Sequence, residues 1–363
     1  MAYTTIDDPS AHFQVVLYTG DGNSGRTVTN DGNSDLQPDW VVIKERPNTS
    51  GHKAYDSSRG AQKLMQWNST AAEETKSTGL TAFNTDGFTV GSDGGHNQNS
   101  QTYVSWQWKM DAGSTSTLST ANAAGTSTNS VVQVNSTAKQ SIFTYTGTST
   151  SFARVAHGLG EKADMYIIKP RGTTGGAALN WVVYHKDSAS NPERSYAFFT
   201  TAAFADNTTY WAAEDNGSAG AITFGGAQQV FYNGTDFVGY AFKGVQGYSK
   251  FGKYVGNGDA NGPFAYTGFK PAFLMIKDTG AAGNWFITDH KRNTFNLVDD
   301  WVVANGSGAE TNVLNASSVD YLSNGFKLRT SYSEANTSGR TYIYMAFAEN
   351  PFVTSTGIPT TAR

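Results

Sequence analysis

Asp39-Trp40-Val41-Val42-Ile43-Lys44, Asp164-Met165-Tyr166-Ile167-Ile168-Lys169 and Ala272-Phe273-Leu274-Met275-Ile276-Lys277 decide the fold. Each holds four consecutive apolar residues closed by a lysine. A strand covered on both faces reads this way, and so does a short buried helix. The shortness of the runs and their flanking Pro and Gly select the strand. Working outward, a Tyr-x-Gly turn stands upstream of each run: Tyr18-Thr19-Gly20, Tyr145-Thr146-Gly147 and Tyr266-Thr267-Gly268. Downstream, each unit closes on a second run. These are Tyr103-Val104-Ser105-Trp106-Gln107-Trp108-Lys109, Phe237-Val238-Gly239-Tyr240-Ala241-Phe242-Lys243 and Tyr342-Ile343-Tyr344-Met345-Ala346-Phe347-Ala348. Here bulky residues alternate with smaller or polar ones, which is the period of a strand with one buried face. A chain built from copies of one module presents surfaces more readily than it assembles one catalytic centre.

The rest of the pattern is also β. Phe13-Gln14-Val15-Val16-Leu17-Tyr18 is a strand that stops at a Gly/Asn-rich turn. Asp86-Gly87 between Phe83 and Phe88, and Asn324-Gly325 between Leu322 and Phe326, predict tight hairpins. Helix signal is thin: two turns over Ser58–Trp67 and one over Ala71–Lys76. The expectation is an all-β protein of three tandem β-sandwich modules, jelly-roll or lectin-like, each with its own core. Module one covers 1–110, module two 140–250, and module three 251–363 with a short C-terminal tail. Between the first two, residues 111–139 are Ser, Thr, Ala and Gly with little charge or bulk, the composition of a linker, though Val131–Val134 can pair locally.

The 363 residues suffice for two or three domains. A net charge of −4 and the absence of any Lys/Arg run argue against nucleic acid or an anionic membrane as partner. With no cysteine there is neither a disulfide nor a thiolate metal site. No apolar stretch is long enough to span a membrane. Met1-Ala2-Tyr3-Thr4-Thr5 is polar and does not read as a secretory signal. Charged residues make up only 15% of the chain, so solubility rests on hydroxyls and amides, as on secreted and virion proteins.

Gly20-Asp21-Gly22-Asn23-Ser24-Gly25 has the G-x-G-x-x-G spacing of a dinucleotide loop, but no helix signal follows it. Gly256–Gly262 is a similar loop, and both read as hairpin connections. Asp86, Asp93 and Asn97, or Asp259 and Asn261, could offer oxygens to Ca²⁺, but without EF-hand spacing they read as turn residues. The six histidines show no zinc spacing. Asp56-Ser57-Ser58-Arg59 and Asp289-His290-Lys291-Arg292 echo one another and read as local Asp–Arg bridges closing a turn; the second module departs with His185-Lys186-Asp187. Among the tryptophans, Trp211 and Trp301 lie outside the repeated runs and are the candidates for exposed glycan contacts. No catalytic, cofactor or metal residue is assigned, and an enzyme is not expected.

Leu36–Lys44, Tyr55–Gly60, Phe83–Gly91 and Tyr103–Trp106 resemble a repeat domain of unknown function in structural proteins of tailed phages, especially marine and cyanobacterial ones. Gly247–Gly252, Pro263–Phe273, Leu322–Arg329 and Tyr342–Phe352 resemble it most closely, and the second module least. The resemblance implies a virion component, assembled in the host cytoplasm, with no catalytic residues to carry over. The expected role is an exposed appendage, a tail fibre or spike component touching the host surface. The alternatives are a capsid decoration or head-vertex fibre, or a glycan-binding or glycan-cleaving virion protein. Expected partners are further copies of the chain, most readily as a trimer, other virion proteins and host surface glycans.

Overall fold

The computed structural model describes residues 2–121, 127–148, 150, 152–189, 192, 195–211, 220–312 and 318–361. It is built almost wholly of antiparallel strands, as expected. The first stretch contains β1 (Phe13–Thr19), β2 (Arg26–Val28), β3 (Trp40–Glu45), β4 (Lys53–Asp56), β5 (Lys63–Gln66), β6 (Glu74–Thr75), β7 (Leu80–Phe83) and β8 (Phe88–Val90). A single helical turn α1 (Gly94–Asn97) and β9 (Thr102–Trp108) complete it. The second contains β10 (Ser116–Ala121), β11 (Ser127–Asn135), β12 (Gln140–Thr146), β13 (Ala153–Ala156), β14 (Met165–Pro170), β15 (Val182–His185), β16 (Ser195–Phe198), β17 (Ala205–Asp206) and β18 (Ala221–Phe224), then α2 (Gln228–Phe231) and β19 (Asp236–Phe242). The third contains β20 (Ser249–Val255), β21 (Phe264–Tyr266), β22 (Phe269–Asp278), β23 (Phe286–Asp289), β24 (Asp300–Val303), β25 (Thr311–Asn312), β26 (Val319–Leu322) and β27 (Gly325–Leu328), then α3 (Ser333–Asn336) and β28 (Thr341–Pro351).

The large sheets run β1-β9-β3-β4-β5-β6, β12-β19-β14-β15-β16-β17 and β20-β28-β22-β23-β24-β25, the second extended at its β12 edge by β11 and β10. Each lysine-terminated run is therefore an interior strand beside the closing strand. Smaller sheets β2-β8-β7, β13-β18 and β21-β27-β26 lie over them. Every residue of β3, β14 and β22 is buried. The alternation of side chains explains why. From β3, Val41 and Ile43 point into a core shared with the small sheet, while Trp40 and Val42 point the other way.

That second face departs from the expectation of separate tandem modules. Trp40, Trp106 and Trp108, Ile167 and Tyr240, and Phe273, Met345 and Phe347 belong to one cluster fed by all three large sheets. Trp40 stacks on Tyr240 at 4.1 Å between ring centroids, and Phe13 on Phe347 at 5.0 Å. Sheets apolar on both faces must be covered on both, and a small second sheet covers only one.

Three further expectations are corrected. The stretch 111–139 forms the β10–β11 hairpin, of which 122–126 lie outside the described residues. Its Thr128, Ser130 and Val132 alternate inward, so small side chains that read as linker instead fit a strand packed under a sheet edge. The helical turns expected at 58–67 and 71–76 hold β5 and β6, because pairing of β5 with β4 and of β6 with β5 outweighs weak local propensity. The third counterpart of Tyr18 and Tyr145 is Tyr254, not Tyr266. Tyr18, Tyr145 and Tyr254 each donate a hydroxyl to a carbonyl of the following helical turn, at 2.8, 2.5 and 2.7 Å. Tyr266 lies in the small sheet.

Candidate functional site

The residues with the richest chemistry are consumed by seams between the sheets. Asp56 accepts from Arg59 Nε at 2.5 Å, and Asp289 from Arg292 Nε at 2.6 Å, all four side chains fully buried. The local bridges read from the sequence are thus present, and they reach further. Tyr240, on the second closing strand, donates its hydroxyl to Asp56 at 2.6 Å. Trp106, on the first, donates Nε1 to Asp289 at 3.1 Å, with the Arg292 guanidinium over its ring. The third closing strand meets His185: Nε2 donates to the Tyr344 carbonyl at 3.2 Å, and Nδ1 accepts from Asp187 N–H. Burial holds His185 down to about 4, so the neutral ring is the one present.

A second layer follows the lysines. Lys169 Nζ reaches the Thr70 carbonyl at 2.8 Å and Lys277 Nζ the Thr201 carbonyl at 3.2 Å, each crossing to the preceding stretch. Lys44 bonds within its own stretch, to the Asn48 carbonyl at 3.1 Å. Burial lowers all three lysines to about 8. Two residues beyond each lysine, a backbone bond crosses the seam: Glu73 N to Arg171 O, Phe204 N to Thr279 O and Glu310 N to Arg46 O. Glu73 joins Arg171 to buried Arg59, and Glu310 joins Arg46 to buried Arg292. The sequence hid these glutamates because their partners are distant in the chain.

The glycine-rich loops wrap buried asparagines. Asn97 Nδ2 donates to Asp21 Oδ1, Asn23 O and Gly91 O while its Oδ1 accepts from Asp21 N. Asn336 does the same with Asn257 Oδ1, Asp259 O, Thr330 O and Asn257 N. Asp93 caps α1 and pairs with Lys76 and His96. The hydrogen bond from His96, against the opposing effect of burial, and the Lys76 bond hold its carboxyl well below the usual range. Asp86 accepts from Leu36 N. These oxygens serve turns, and no group of three or more metal-ligating side chains occurs among the described residues.

Trp211, expected to be exposed, is fully buried, with Nε1 bonded to the Ser195 carbonyl, and offers no face to a sugar. Its ring fills the second small core against Tyr166, edge-on at 4.9 Å. Trp301 is half-buried on β24 and packs edge-on against Phe286 at 5.0 Å. The two are not brought together.

The open surface lies along β20. Among the described residues this strand has one ladder partner, β28. Beside it are cavities of about 450 and 460 Å³, the second bounded by Lys253, Val255, Phe264, Tyr266 and Lys186. Lys250 spans from β20 to the Tyr266 carbonyl at 2.8 Å and lies over that ring at 5.1 Å. Tyr3 closes one end through the Tyr266 hydroxyl at 2.9 Å and the Gly268 carbonyl. Val255, Phe264 and Tyr266 are exposed at 55%, 44% and 48%, which makes this an apolar patch rimmed by lysines. The sequence could not reveal it, since it depends on which strand is left at a sheet edge.

A family model described as a domain of unknown function, DUF7483, matches residues 8–351. The chain belongs to this family. One family unit thus spans all three large sheets, in keeping with their shared core. No curated protein and no solved structure matches the chain.

Proposed function

We propose that this member of the family is a non-catalytic structural and binding component of a phage particle, built from three copies of one sheet unit closed against each other. The observation that carries the non-catalytic reading is where the ionisable groups sit. Asp56, Asp289 and His185 are buried and hydrogen-bonded across seams, and Arg59 and Arg292 are buried against the two aspartates, instead of lining an open cleft. Catalytic acids and bases must reach a substrate, whereas such networks fix one arrangement of sheets. The surface left is low in charge and opens into sheet-edge grooves, which suits recognition.

The phage assignment is supported by the motif resemblance, and within the particle we favour an exposed tail appendage that touches the host surface. We favour self-association as a trimer, to which exposed Phe152, Phe295, Leu297 and Ile358 would lend apolar surface. Antibodies raised against the purified chain and applied as immunogold to particles from a producing culture test the assignment. Label on tail tips is expected. Label on heads sinks the appendage in favour of a capsid decoration, and particles without label overturn the virion reading. Light scattering tests self-association, with a stable 38.9 kDa species at micromolar concentration counting against it.

A further inference from the structure

The second stretch shows what fills the place that is open beside β20. The ladder partners Ile142↔Tyr240 and Phe251↔Met345 align β12 with β20, so Thr144 corresponds to Lys253 and Tyr145 to Tyr254. On β12 the outer edge is occupied by β11, antiparallel, with Val131 opposite Thr144 and Gln133 opposite Ile142. Alternate residues of β11 enter the gap between β12 and β13. Ser130 donates to the Ala156 carbonyl at 2.7 Å. Val132 and Val134 join the second small core and crowd Gly158, whose φ of +85° and nearness to Val134 leave no room for a side chain. In the third stretch the same gap, between β20 and β21, is the groove of about 460 Å³.

The backbone of β20 is set up for such a strand. Ser249 bonds away from β28, to Val245, whereas Tyr248 O and Gly256 N bond toward β28 or the residue preceding it. Polarity alternates along an antiparallel strand, so Phe251, Lys253 and Val255 turn N–H and C=O outward. Natural sheets protect such an edge or use it.

We propose that the open edge of β20 binds an extended segment of another protein, which adds as an antiparallel strand. That segment places a small or β-branched side chain into the groove and an acidic side chain beside Lys253. This goes beyond the virion reading and holds whichever particle or assembly carries the chain. Lys186, Lys250 and Lys253 face one carboxylate, Asp187, which is already paired with Lys186. The same charge disfavours a second copy: antiparallel pairing of β20 with itself about Lys253 sets lysine across from lysine, which is destabilising. Main-chain bonds supply the affinity and alternate side chains the selectivity.

The probe is a nine-residue peptide with the β11 sequence, Ser127–Asn135, end-capped and made with Val131→Glu or Val131→Lys. Isothermal titration to the full chain is expected to show binding of the Glu peptide, about five-fold tighter than the Lys peptide, from a single cross-strand charge pair. Lys253→Glu in the protein should invert that order. N-methylation of the peptide at positions 131 and 133 should abolish binding, since those amides face the edge; this control leaves the protein untouched. Lys253→Pro should abolish it too, because the missing N–H is the outward one. If neither peptide binds the folded chain, the proposal fails. It also fails if N-methylation changes nothing, if a neutral oligosaccharide displaces the peptide, or if β20 proves to be buried in a dimer of this chain.

Discussion

At the scale of single residues, one position can be followed through three environments. The closing strands place Trp106, Tyr240 and Met345 at matching ladder positions. The first two donate to a buried aspartate, and the third has nothing to donate. Where Met345 stands, the facing corner carries His185, which supplies its own donor to the backbone. A buried carboxylate with no donor would be costly, so the histidine and the methionine belong together. Tyr240→Phe should destabilise by about 1–2 kcal/mol in urea unfolding, because the lost bond ended on a charged acceptor. Asn336→Ala should cost about 2–4 kcal/mol, since it strips Asn257 N–H of its acceptor and the loop carbonyls of their donor. The helical turn of the second stretch ends on Phe231 at this place, stacked near Tyr145, so neither the asparagine nor its glycine loop is needed there.

At the scale of elements, legibility in the sequence followed burial. Interior strands β3, β14 and β22 announced themselves because both faces are covered, which forces an unbroken apolar run. The Asp–Arg corners were visible because bridge and turn lie within four residues. Trp211 misled because its neighbours look like loop while its partners, Tyr166 and Tyr184, are distant in the chain. The β10–β11 hairpin escaped for a different reason. Its inward positions hold Thr128, Ser130 and Val132, too small to stand out, yet the gap they fill is narrow. Nor could the sequence say that β12 has a cover and that, among the described residues, β20 lacks one. Hydrogen exchange resolves that asymmetry directly. Amides of Phe251, Lys253 and Val255 should exchange quickly, and those of Gly252 and Tyr254 slowly. On β12, Ile142 and Thr144 should be protected by β11, and fast exchange there would mean the hairpin does not hold the edge.

At the scale of the whole molecule, the seams decide whether the sheets unfold together. Glu310 joins Arg46 to buried Arg292, which keeps Asp289, so Glu310→Ala loses two charged hydrogen-bond contacts without unpairing the guanidinium and should cost about 1–2 kcal/mol. Lys291→Ala, which loses only the exposed contact to Asp31, should cost less than about 0.5 kcal/mol. Calorimetry should give one transition for the wild type, and three separable transitions would refute the shared core. Acid should loosen the same seams. His185 at the seam, and His157 in the second stretch, are held by burial down to about 4 and about 3, and His52, between Trp67 and Trp106, is also lowered, by burial first and then by Lys44. A histidine depressed in the folded state stays neutral while its unfolded counterpart takes up a proton. Its stabilising effect is full above the unfolded pKa, about 6.5, and drains away as the pH falls toward the folded value. Between pH 7 and 5 the loss is on the order of 2 kcal/mol for each such ring. Asp289 adds no loss in that window: burial pushes its carboxyl up, the charge of Arg292 outweighs burial, and its contribution is spent only below the ordinary carboxylate range. Urea midpoints should therefore fall from pH 7 to 5 in the wild type and fall less in His185→Gln, whose amide can still donate to the Tyr344 carbonyl without taking a proton. An equal fall in both would mean that His185 does not set the acid limit.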